Sequence, residues 1–234
     1  MKLLAFETSG EACSVALRIG SETRQRIELA PRRHGELVLA MADGLLAEAG
    51  LRLRELDALA FGRGPGSFTG VRIAAAVVQG AAFGAELPVV PVSTLAALAQ
   101  GAYRTDRVRF SLVALDARMG QVYWGRYRID PQGFARLEGD EAVANPGEVS
   151  LPATGRWFGV GSGWSVHGAT LSEHAAAWLE AIMPNRPCEA QDVADLASAL
   201  FAEGAQVRPE AAVPVYLRDQ VTFVRPNSGA SAAI

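Results

Sequence analysis

"KLLAFETSGEACSVALRIGSETRQRIEL", residues 2–29, decides the fold. An apolar run ends at Ser9 and Gly10, a second extends from Ala12 to Ile19 and stops at Gly20 and Ser21, and a third follows. Short apolar runs cut by turn residues are strand signals, and breaks this short join neighbours antiparallel, so the stretch predicts a three-stranded meander. From His34 the period changes. Leu37, Val38, Met41, Leu45 and Ala49 recur at three- and four-residue spacing up to Gly50, which predicts an amphipathic helix with a glycine stop. "LDALAFG" (56–62) predicts a short buried strand and 69–84 a second helix, in which Ala76, Gly80 and Gly84 permit close backbone approach. "LPVVPV" (87–92) predicts another strand, and Ser93 or Thr94 caps a third helix through Gln100.

From Arg107 the pattern begins again. "VRFSLVALDA" and "QVYWGRYRID" predict strands around a turn at Met119 and Gly120, with a short run and a strand near "RWFGVGSG" to follow. Helix-like segments fall at 171–183 and 192–203, and "VPVYLRD" (213–219) closes the fold. Meander, helix, strand and helix, given twice, predict an α/β chain of two ribonuclease-H-like units, the layout of the actin-like ATPases. The expected subdomains are 1–104 and 105–224 with no low-complexity linker, and 225–234 reads as a disordered tail.

Composition narrows the function classes. The 234 residues are half apolar, enough for a sizeable core, and 22 basic against 25 acidic residues give a net charge of -3. That balance provides no general electrostatic footprint for nucleic acid or anionic membrane, so any RNA role is indirect or local. Cys13 and Cys188 are too few for a metal cluster and read as small apolar residues. "LLAF" before Glu7 is too short for a signal-peptide apolar region, and no stretch approaches eighteen uncharged apolar residues; the expectation is a soluble, cytoplasmic chain.

The glycine-rich stretch "GRGPGSFTGVRIAAAVVQG" (62–80) invites a phosphate-loop reading. A Walker loop ends in Gly-Lys-Ser/Thr, and here Gly70, Val71 and Arg72 stand instead; Gly64 and Gly66 are followed by Thr69 where a dinucleotide fingerprint needs glycine. What remains is a tight turn whose Ser67 or Thr69 caps the next helix. "GSGWSVHG" places Ser162 and Ser165 near His167 without forming a G-x-S-x-G elbow. His34, His167 and His174 show no metal-ligand spacing, and His34, opening a helix, reads as a surface or interface residue. Glu7 and Asp116 each end the first strand of their half, where actin-like ATPases place carboxylates around magnesium, though as bare residues they are equally good turn formers.

"LLAFETSGEACSVAL", "RRHGELVLAMADGLL", "GRGPGSFTGVRIAAAVVQGAA", "LPVVPVSTLAALA", "DARMGQVYWG" and "PVYLRD" closely resemble the bacterial TsaB (YeaZ) family in order and over nearly the whole chain. "GPGSFTG" followed by Arg72 is the most specific of these; Glu7 for aspartate and Gln121 for glutamate are departures. The resemblance implies a protein that takes part in making threonylcarbamoyladenosine on tRNA, at adenosine 37 of tRNAs reading ANN codons. It implies similarity to TsaD, an ATP- and metal-dependent transferase whose H-x-x-x-H motif matches "VSTLAALA" here, with Thr94 and Leu98 at the ligand positions. Neither side chain replaces an imidazole, so no catalytic residue, metal or cofactor is expected on this chain; ATP and metal belong to the partner subunits.

The resemblance further implies a helix bundle formed with TsaD, or with a second copy of this chain, in a complex that also takes up the ATPase TsaE. The residues expected on that interface are His34, Glu36, Leu37, Met41, Leu45, Thr69, Arg72, Ile73, Ala76 and Gly80. Glu7, Thr8, Ser9, Gly64, Gly66 and Ser67 would be a vestigial phosphate loop. The rival readings are a small-molecule kinase of the same superfold, for which "FETSG" and "GRGPGSFTG" would be phosphate loops, and a glycoprotease-like metallopeptidase.

Overall fold

The structure is a computed structural model that describes residues 1–218; Asp219, the end of the expected closing segment, and the expected tail at 225–234 lie outside the described residues. The opening meander forms as its turn residues dictate, with β1 (Lys2–Glu7), β2 (Ala12–Ile19) and β3 (Glu22–Leu29) antiparallel. Helix α1 (His34–Ala49) ends on Gly50, whose φ of 64° is the left-handed conformation glycine adopts without a Cβ penalty. Next come β4 (Ala58–Gly62), α2 (Phe68–Ala85), β5 (Val89–Val92) and α3 (Thr94–Asp106). Ser93 caps α3, its Oγ accepting from the Leu95 and Ala96 amides at 3.1 and 3.3 Å, and the helix runs on past Gln100. These strands form one sheet in the order β3-β2-β1-β4-β5, with β1, β4 and β5 parallel.

The second half contributes β6 (Phe110–Asp116), β7 (Val122–Ile129), β8 (Ala135–Leu137), β9 (Ala142–Ala144) and β10 (Trp157–Val160). Two short helices, α4 (Gly163–Val166) and α5 (Gly168–His174), lead to β11 (Leu179–Met183) and α6 (Ala190–Ala202). The sheet order is β11-β10-β6-β7-β8, with β9 also paired to β7. Read from β8, it repeats the first sheet strand for strand, so the duplication is present in the hydrogen-bond ladders themselves.

One expectation needs correction. The segment 171–183 is not one helix: α5 stops at His174, and residues 179–183 form β11, paired parallel with β10 at the sheet edge. Alanine and leucine favour helix locally, but the edge of β10 offers a full row of backbone partners, and that tertiary pairing wins. The segment 213–218, expected to close the fold, forms no regular element, and its Val215 amide donates to the Arg63 carbonyl at 2.8 Å.

The halves exchange their last helices. Helix α6 packs on the first sheet against β1, β2, β4 and β5, while α3 packs on the second against β6, β7 and β8, and the two helices touch each other. A single core fills the space between the sheets and includes Leu3, Ala5, Leu95, Leu98, Tyr127 and Val193. A boundary at 104/105 therefore falls inside α3. The outer face of the first sheet is covered by α1 and α2 over Phe6, Val15, Met41, Leu45 and Val78, and that of the second by Trp124, Trp157 and Trp164. Ion pairs tie the exchanged helices in: Arg18 to Asp195 at 2.6 Å, and Arg104 to Asp192 at 2.7 Å and Glu189 at 3.1 Å.

Candidate functional site

Two loops meet at the end of the first sheet, and they carry the residues expected as a vestigial phosphate loop. The first is the β1–β2 turn with Thr8 and Ser9, both buried; the second is the glycine loop before α2, in which the Gly64-Pro65 peptide is cis. They are in direct contact. The Ser67 amide donates to the Ser9 carbonyl at 2.8 Å, and the Thr8 hydroxyl to the Gly70 carbonyl at 2.7 Å. A Cβ on Gly66 would lie 2.7 Å from the Ser9 Cβ, and one on Gly70 would lie 2.0 Å from the Thr8 carbonyl oxygen. The glycines thus bring backbone against backbone, and the Ser67 amide that an anion would require is satisfied by protein.

Glu7 closes the same corner. It is wholly buried, its Oε1 accepts from the Ser9 amide at 2.5 Å, and Oε2 has no hydrogen-bond partner among the described residues. A Cβ on Gly62 would sit 1.9 Å from that Oε2, so only glycine leaves room for the carboxyl group. Burial pushes the Glu7 carboxyl above its ordinary range, against the lowering effect of the Ser9 hydrogen bonds. A buried carboxyl group beside the engaged Ser9 and Ser67 amides makes this corner a poor fit for a phosphate.

The Thr94 hydroxyl donates to Ser9 Oγ at 3.3 Å, and Leu98 lies in the core between the sheets. Among the described residues, no three His, Cys, Asp or Glu side chains converge as a metal site. In the second half Asp116 ends β6 as Glu7 ends β1. Its Oδ1 lies 3.4 Å from His167 Nε2, and its Oδ2 pairs with Arg118 at 3.2 Å. Ser162 Oγ accepts from the Asp116 amide at 3.4 Å and Ser165 donates to Asn185 at 3.0 Å, so each serine hydroxyl is engaged away from the imidazole.

A polar knot between the lobes escaped the sequence reading. Glu141, in the connection between β8 and β9, accepts from the hydroxyls of Ser93 and Tyr127, and its other oxygen lies 3.4 Å from Arg63. Burial raises the Tyr127 phenol, and the neighbouring Glu141 charge adds to it. Only a loop acid marks this site in sequence; the partners come from β7, the α3 cap and the end of β4, which pattern reading does not bring together.

The expected interface divides in the structure. On α2, Thr69, Arg72, Ala76 and Gly80 are exposed and Ile73 half-buried, forming one outward face with Phe68 and Phe83, which are 67% and 77% exposed. On α1, Glu36 is exposed and Leu37 half-buried, but His34, Met41 and Leu45 are buried at 7, 8 and 2% exposure. Those three face inward within the chain: α1 lies flat on β2, and its apolar stripe is what holds it there. Leu39, 55% exposed, takes the outward apolar place instead.

Duplicated ribonuclease-H-like sheets with exchanged helices and glycine-lined loops at the strand ends define a protein of the actin-like ATPase superfold. Residues 26–222 match the family model of TsaD, tRNA N6-adenosine threonylcarbamoyltransferase. The chain is 43% identical to the Escherichia coli tRNA threonylcarbamoyladenosine biosynthesis protein TsaB, over 95% of this chain and 97% of that protein. The Haemophilus influenzae TsaB protein is 38% identical over 95% of this chain and 96% of its own. YeaZ from Pseudomonas aeruginosa superposes with a TM-score of 0.84 at 45% identity, over 92% of this chain and 99% of that one. The chain belongs to the TsaB (YeaZ) family.

Proposed function

We propose that this chain is the non-catalytic partner subunit for threonylcarbamoyladenosine formation on tRNA, binding and stabilising the TsaD transferase through the outer faces of α1 and α2. The observation that carries the reading is α2 itself. It is an 18-residue helix with one charged side chain, its inner face buried against β4, and its outer face left as Phe68, Ala76, Gly80 and Phe83. By length and composition alone α2 would pass as a membrane span, yet it is docked on a sheet. An uncovered apolar face of this kind on a globular chain is an interface, and its small residues admit a partner helix at close range. The closed contact of Thr8 and Ser9 with Gly66 and Gly70, and Thr94 and Leu98 at the motif positions, support a partner role over a small-molecule kinase or a metallopeptidase. TsaE and tRNA enter the assembly through TsaD in this reading, and a homodimer of this chain uses the same helices when the transferase is absent.

The test is omission. TsaD, TsaE, threonylcarbamoyl-adenylate and tRNA are incubated with and without this chain, and modified adenosine is scored by mass spectrometry. Modification should collapse without the chain, and the chain alone should make none; undiminished modification on omission would overturn the reading.

A further inference from the structure

We infer that Arg72 is a pre-oriented anchor on this face, built to meet a carboxylate presented by a helix of the partner protein. The inference rests on the partner-subunit reading and assigns the chemistry of its recognition. Arg72 is the single charged residue of α2. Its guanidinium carbon stands 3.2 Å from the centroid of the Phe68 ring and 4.8 Å from that of Tyr216, and its NH1 donates to the Phe68 carbonyl at 3.0 Å. Phe68 and Tyr216 themselves lie 6.2 Å apart, centroid to centroid, so the cation is held against two rings that come from elements far apart in sequence.

Such stacking fixes the plane of the guanidinium while leaving donors free, and an arginine so held loses little entropy when it takes a two-point bond to a carboxylate. Among the described residues no acid pairs with Arg72, whereas Arg18, Arg33, Arg104 and Arg136 each have one. Along the same face Ala76 and Gly80 follow at four-residue spacing and are exposed, so a helix laid there runs in close contact and ends over the stacked cation. A carboxylate is favoured over an RNA phosphate because Arg72 is a lone charge on an otherwise apolar face, and RNA contact relies on several cations.

The experiment measures binding of full-length chain to TsaD by calorimetry at low and moderate salt, using wild type, Arg72→Lys, Arg72→Glu and Arg156→Ala, with thermal melting as the check on folding. Wild type should bind with salt-dependent affinity. Arg72→Lys should lose about tenfold because ammonium cannot form the two-point bond. Arg72→Glu should lose a hundredfold or more with an unchanged melting temperature, and Arg156→Ala, which removes an exposed arginine of the second half away from this face, should change little. Binding of Arg72→Glu within twofold of wild type would overturn the anchor while leaving the partner reading intact. Failure of wild type to bind TsaD would overturn the partner reading, and the anchor with it. Loss of tRNA retention with TsaD affinity unchanged would assign Arg72 to phosphate, and loss of self-association alone would assign it to a second copy; either outcome overturns the proposal.

Discussion

Thr8 and Gly70 hold the β1–β2 turn against the start of α2, the Thr8 hydroxyl donating to the Gly70 carbonyl at 2.7 Å while the Thr8 carbonyl oxygen fills the place of a Gly70 Cβ, 2.0 Å away. Gly70→Ala must therefore push two main-chain segments apart. It should cost about 3 kcal/mol, and Thr8→Val about 1 kcal/mol through the lost hydrogen bond. Urea unfolding of the two variants should rank them in that order.

Glu7 makes stability depend on pH in a direction opposite to that of an ordinary paired acid. Its folded-state pKa is raised by burial, so the folded chain holds the proton more tightly than the unfolded one. Stability should fall as pH rises through the window above the ordinary carboxyl value, and the penalty is fully present once the folded carboxyl has ionised. Glu7→Gln should raise the melting temperature at pH 8 and converge with wild type near pH 4. Parallel melting curves at the two values would show that the carboxyl is not the titrating group.

Asp192 is 1% exposed and takes two bonds from Arg104, at 2.7 and 3.1 Å, across the packing of α3 on α6. Asp192→Ala leaves the Arg104 guanidinium with Glu189 as its remaining carboxylate partner and should cost about 2 kcal/mol, lowering the melting temperature by roughly 4–8 °C. Calorimetric melting gives the figure directly. Asp192→Asn, which preserves one acceptor, should lose less.

Faces of α1 and α2 should separate cleanly under mutation. Met41→Glu or Val78→Glu places a charge in the core beneath the helices and should unfold the chain, since Val78 is wholly buried. Gly80 is exposed with open space where a Cβ would go, so Gly80→Ala should stabilise the isolated chain by about 0.5–1 kcal/mol. The same variant should weaken TsaD binding by holding the partner helix off. Melting and pull-down on one preparation test both halves of that statement.

The duplication was legible without coordinates, and it held a prediction that local reading missed. The repeat of β4, helix and β5 requires a strand after β10, and β11 stands there, though its residues "LEAIM" have helix-favouring neighbours. Met41 and Leu45 were legible as an apolar stripe, but a stripe records only that one face is covered, and β2 covers it rather than a partner. The stack of Arg72 on Phe68 and Tyr216 could be read only in part: the four-residue spacing of Phe68 and Arg72 is helical, while Tyr216 arrives from the closing segment.

The sequence by itself determined the meander, the stop of α1 at Gly50, the twofold grammar and the family, because turn residues, periodicity and motif order act over a few residues and survive in one dimension. Tertiary structure decided which loop glycines touch Thr8 and Ser9, that α3 and α6 trade sheets, that Glu141 joins Ser93, Tyr127 and Arg63, and which face of α2 stays uncovered. These are contacts between residues far apart in the chain, and their energies come from excluded water and close packing, which no local pattern encodes.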